Sequence, residues 1–83
     1  MVNFAIERHD DRWRLRTGGA GTADVMSRSR ASLLRLAAEI AFDNDGTVTV
    51  YDAVGAIDSM IRFTNHRVDG DLDRISALLL SFD

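Results

Sequence analysis

The chain has 83 residues and a mass of 9.2 kDa, the size of one small domain that buries roughly 60 to 65% of the surface its unfolded form exposes. Hydrophobic residues make up 46% and charged residues 28%, and there is no cysteine, which excludes intrinsic disorder, a disulfide framework and a thiolate zinc site. The net charge of −3 gives no overall polyanion-binding signature, but its layout is uneven: residues 1–42 carry seven Arg against Glu7, Asp10, Asp11, Asp24 and Glu39, and residues 43–83 carry three Arg against eight Asp.

Asn3 to Arg8 and Arg12 to Thr17 both alternate, and Asp10-Asp11 between them is turn-forming, so residues 3–17 read as a β-hairpin. Centring the turn on those two aspartates pairs Phe4 with Thr17, Ile6 with Leu15 and Arg8 with Trp13 on one face. Ala5 with Arg16, Glu7 with Arg14 and His9 with Arg12 fall on the other. One face is then mostly apolar and the other charged, with a Glu7–Arg14 cross-strand pair and the Arg8 stem over Trp13. Thr17 to Thr22 holds three of the six glycines and reads as a connecting loop.

From Ser29 the period becomes helical. Leu33, Leu36, Ala37, Ile40 and Ala41 form a stripe, Ser27 or Ser29 is placed to cap the start, and Asn44-Asp45-Gly46 ends a helix over 29–44. Thr47 to Phe63 reads as a second hairpin around Asp52 to Gly55. Val50 is expected to face Ile57 and Val48 to face Ser59, with Ile61 and Phe63 continuing the core side and Tyr51 facing outward. Thr64 to Gly70 reads as a polar loop. Asp71 then opens a helix over 71–82 with Leu72, Ile75, Leu79 and Phe82 on one stripe, widened by Leu78 and Leu80. That surplus of apolar surface requires either packing beside the first helix or docking on a second subunit. The predicted architecture is an α+β domain of ββαββ(α) layout, its roughly four-stranded antiparallel sheet covered on one face by helix, with the strand order open.

The run Phe4-Ala5-Ile6-Glu7-Arg8 to Asp11-Arg12-Trp13-Arg14-Leu15, the Ser-capped Ala-rich helix, Val48-Thr49-Val50-Tyr51 and the Asp52 to Gly55 turn resemble the small bacterial domain of unknown function numbered 2188 over about residues 3–63. This chain departs from the family in separating Asp52 from Gly55 by two residues and in lacking lysine. The resemblance implies a ββαββ layout and no assigned activity.

The chemistry-bearing residues favour bland roles. His9-Asp10-Asp11 reads as a polar hairpin turn rather than an acid–base pair, since adjacent residues in a tight turn point apart. Asp69, Asp71 and Asp73 alternate as in a calcium loop, but Arg74 stands where that loop needs glycine and Leu80 where it needs glutamate. Gly18 to Gly21 lacks the lysine of a nucleotide loop, and no serine or histidine is paired for nucleophilic chemistry. No enzymatic activity, metal or cofactor is therefore expected. The distinctive feature is basic: Arg12, Arg14 and Arg16 at period two, with Arg28 and Arg30 beside the first helix, define a candidate surface for phosphates. The expected function is a non-enzymatic interaction module that self-associates, as a dimer, through Leu72, Ile75, Leu79 and Phe82; the alternative is nucleic-acid binding through the five arginines. The opening residues show no basic and apolar leader and no stretch reaches membrane length, so a cytoplasmic protein without membrane contact is expected.

Overall fold

The computed structural model describes residues 1–17 and 24–80; the glycine loop at 18–21 and Phe82 lie outside them. The elements run β1 (Val2–His9), β2 (Arg12–Thr17), β3 (Val25–Ser27), α1 (Arg30–Asn44), β4 (Gly46–Tyr51), β5 (Ile57–Thr64), β6 (Arg67–Gly70) and α2 (Leu72–Leu79). Among the described residues six strands form one mixed sheet in the order β3-β2-β1-β4-β5-β6. Its two central strands, β1 and β4, are parallel, and every other neighbour is antiparallel.

The architecture is α+β as expected, but the sheet has six strands rather than four and is not purely antiparallel. Two strands escaped the sequence. β3 is three residues long, too short for alternation to register. β6 hides in the polar segment 64–70, where Asn65 and His66 both take positive φ, 51° and 62°, and close a two-residue hairpin that pairs Thr64 with Arg67. The parallel pair arises because α1, about 22 Å long, carries the chain back across the sheet so that β4 docks beside β1.

Both helices cover the same face. Phe4, Ile6, Trp13, Leu15, Val48, Val50, Ile61 and Phe63 project from the strands to meet Leu33, Leu34, Ala37 and Ala41 of α1 and Ile75 and Leu78 of α2, all buried. The first hairpin has the register set by the Asp10-Asp11 turn, with Ile6 opposite Leu15 and Glu7 opposite Arg14. The second does not have the expected register. Val50 pairs with Ser59 and Val48 with Ile61, and a bulge after Val50 sets Tyr51 opposite Ile57. The bulge inserts an extra residue, so Ile57 turns away from the core and is 65% exposed while Asp58 is re-aimed.

Ser29 caps α1, its Oγ accepting from the Ser32 amide at 3.1 Å, and Ser27 Oγ accepts from the Ser29 amide at 3.0 Å, so both candidate serines take part. The buried stripe of α1 is rotated from the expected one: Leu34 is fully buried, whereas Leu36 and Ile40 are half-exposed. α2 packs against α1, with Ala38 and Leu79 lining one groove between them. Asp71 opens α2 through its backbone carbonyl, which accepts from the Ile75 amide, while its carboxylate accepts from the Met60 amide instead of capping the helix.

Candidate anion-binding surfaces

Alternation along β2 sends Trp13 and Leu15 into the core and Arg12, Arg14 and Arg16 onto the face that both helices leave uncovered. Neighbouring strands add Asn3, Glu7, Thr47, Thr49, Tyr51 and Met60 to that face, and β5 and β6 add Arg62 and Arg67. Five of the ten arginines thus share one surface with Glu7, Asp24 and Asp69. Glu7 is the hub. Its Oε1 accepts from Arg14 in a close pair and from Arg16 Nη1 at 3.2 Å, and Asp24 lies 3.9 Å from Arg14 Nε. The Arg14 hydrogen bond holds the Glu7 carboxyl below its ordinary range, partial burial opposes the shift, and Arg16 reinforces it. Arg12 sits exposed at the hairpin end opposite His9.

Arg28 and Arg30 do not join this surface. They stand on the helix side of the sheet, so the five arginines singled out by sequence divide between opposite faces. Arg30, the first residue of α1, is 9% exposed; its guanidinium lies 4.7 Å from the Trp13 ring centroid and donates to Asp58 Oδ2 at 3.3 Å. Asp58 also binds Arg74, the third residue of α2, in a fork with Nε to Oδ1 at 2.7 Å and Nη2 to Oδ2 at 2.9 Å. The Arg74 hydrogen bonds are the main reason the Asp58 carboxyl is held below its ordinary range; partial burial opposes them and Arg30 adds to them.

Arg8 completes the arrangement, 5.5 Å from the Trp13 ring centroid, its Nε donating to the Asp10 carbonyl at 2.8 Å. Arg8, Arg28, Arg30 and Arg74 line a cleft of about 410 Å³ together with Trp13, Asp52 and Asp58. The sequence supplied one corner of it, the Arg8–Trp13 pair. The rest needed two facts invisible to periodicity, the bulge that re-aims Asp58 and the docking of α2 beside α1.

The proposed self-association residues are differently employed. Ile75 is 6% exposed and Leu78 2%, both inside the chain's own core, so these two side chains are not an available interface, while Leu79 is only partly buried against that core. The reason is the direct packing of α2 on α1 and β5. Leu72 stays half-exposed, and Phe82 lies outside the described residues. Between the helices runs an apolar groove of about 450 Å³ lined by Ala38, Phe42, Phe63 and Leu79, with Arg35, Glu39 and Asp43 at its rim. Half-exposed Phe42 meets Phe63 edge-on at 6.1 Å and His66 at 4.8 Å.

His9 Nε2 stands 3.8 Å from Asp10 Oδ2 on the exposed hairpin turn. Asp69, Asp71 and Asp73 do not converge: Asp69 Oδ1 accepts from the Gly70 amide and Asp71 Oδ2 from the Met60 amide. Among the described residues no helix is long and apolar enough to cross a membrane. No protein-family model, curated protein or solved structure matches the chain.

Proposed function

We propose that the chain is a non-enzymatic binding module that takes single-stranded nucleic acid across the uncovered sheet face. The observation that supports this reading is the gathering of Arg12, Arg14, Arg16, Arg62 and Arg67 on that face against Glu7, Asp24 and Asp69. The molecule is acidic overall, yet this surface is net basic, and local charge governs phosphate contacts. Tyr51 and Met60, on the strands beside Glu7 and Arg62, offer apolar area on which a base can rest. A cytoplasmic setting accords with such a partner. The resemblance to domain family 2188 rests on the residues of 3–63 alone and implies no activity.

The test is fluorescence anisotropy with a mixed-sequence single-stranded oligonucleotide across a salt series. Affinity is expected to fall steeply with salt and to drop when Arg14 and Arg16 are both replaced by Ala. Undetectable or salt-independent binding defeats the reading. Glu7→Gln is expected to act in the opposite direction and strengthen binding, because it removes the anion that now occupies two of the arginines.

Self-association is the second reading, and it moves from the α2 stripe to the groove between the helices. Its support is the half-exposed Phe42 above an apolar floor, with Arg35, Glu39 and Asp43 in one row of α1 along the rim, a charge pattern that a second copy can complement. Sedimentation equilibrium is expected to show a dimer that Phe42→Ser disperses; a monomer at every accessible concentration removes this reading.

A further inference from the structure

We propose that the Trp13 cleft on the helix side is a binding site for the phosphoryl group of a small phosphorylated ligand. The inference stands apart from the nucleic-acid reading, since its residues lie on the opposite face of the sheet. Four guanidinium groups from four separate segments converge there: Arg8 from β1, Arg28 from the β3–α1 junction, Arg30 from α1 and Arg74 from α2. They share the cleft with two carboxylates. Asp58 serves both Arg30 and Arg74, and Asp52 spends one oxygen on its own loop, accepting from the Val54 and Ala56 amides at 3.0 and 2.9 Å. Arg28 is exposed and has no carboxylate partner among the described residues, and the Arg8 Nε contact is to a neutral carbonyl.

Among the described lining residues the four guanidinium groups outnumber the two carboxylates by two charges, and that excess selects the ligand class. A phosphate monoester carries about −1.5 to −2 at neutral pH, which matches the excess, whereas a carboxylate or a phosphodiester carries a single charge. Guanidinium forks also match the tetrahedral oxygens in geometry. The buried indole contributes rigidity: with Arg8 and Arg30 both held over Trp13, two of the four donors are oriented before any ligand arrives.

Trp13 is the sole tryptophan, so its fluorescence reports directly on the cleft. The experiment titrates inorganic phosphate into the full chain, with sodium chloride at matched ionic strength as the control. A saturable change with phosphate and none with chloride is expected. Arg28→Gln should raise the half-saturating concentration about tenfold, the loss of one charge-assisted contact, while leaving Tm unchanged, because among the described residues Arg28 bonds to nothing else. A response equal to that of chloride, no saturation, or an unchanged midpoint in Arg28→Gln overturns the proposal. Two further probes separate the sources of phosphate. A nucleoside monophosphate is expected to compete with inorganic phosphate, and an oligonucleotide without terminal phosphate is expected not to. Competition by that oligonucleotide as strong as by the monophosphate makes the cleft part of a nucleic-acid surface and overturns the small-ligand assignment.

Discussion

A methyl group has no room at position 46. Gly46 begins β4 at φ +147°, and a Cβ built there would fall 1.8 Å from the Val2 carbonyl oxygen, backbone that is itself paired to Asp45 and Gly46. Both the backbone angle and the space demand glycine. Gly46→Ala is expected to cost about 3 kcal/mol or more, measured as a shift in the urea midpoint; a change below about 1 kcal/mol would mean β1 can move aside at little cost. Ser59 points the other way. It is wholly buried opposite Val50, and among the described residues its Oγ has no hydrogen-bond partner. Ser59→Ala is therefore expected to be neutral or to raise stability by up to about 1 kcal/mol, read as Tm, because it removes an unsatisfied hydroxyl from the core. At this scale the sequence was legible wherever alternation was clean, as in Phe4, Ile6, Trp13 and Leu15. It was misleading at Ile57, because one inserted residue exchanges the two faces of a strand and leaves no mark in composition.

Among the elements, the joint at Asp58 decides how the second half attaches to the first. A bulge in β5 presents one carboxylate to the opening residues of two helices, so α1, α2 and the sheet are tied at a single point. Because the folded-state pKa of Asp58 lies below its ordinary value, the stabilisation is fully present above the ordinary carboxylate range. It is lost as pH falls through the depressed folded value. The Glu7 hub behaves in the same sense. Thermal stability should decline below about pH 4. Asp58→Asn should be less stable than the native chain at neutral pH by about 1 to 2 kcal/mol, kept modest by the half-exposed Arg74, and should show a shallower acid decline. Parallel acid curves for the two proteins would show that the joint carries no net charge stabilisation. The helices themselves were legible from their 3.6-residue period and serine cap. Their mutual packing was not, since the stripe on α2 fits a neighbour in the same chain as well as one in another.

Taken whole, the molecule places the same succession twice, three strands of an antiparallel meander followed by a helix. The two successions run outward in opposite directions from the parallel pair of β1 and β4. The second helix is integral to this plan. Ile75 and Leu78 close the core beside Leu34 and Phe63, so a chain ending at Thr64 loses two buried aliphatic side chains, each worth about 2 to 5 kcal/mol, against a total stability of about 5 to 15 kcal/mol for a small domain. The truncated chain is expected to lack a cooperative melt by circular dichroism; a sharp transition near that of the full chain would show that β6 and α2 are appended to a core that is complete without them.

The parallel pair at the centre also sets an order of events in time. Each meander pairs strands that are near neighbours in sequence and closes early at small entropic expense. Val2 to Ile6 and Gly46 to Val50 find one another at a sequence separation of 44. The two outer halves can therefore assemble independently, and their union along the middle is the slow event. Shortening Val48 to Ala should retard refolding, whereas the same change at Val68, at the rim, should chiefly hasten unfolding.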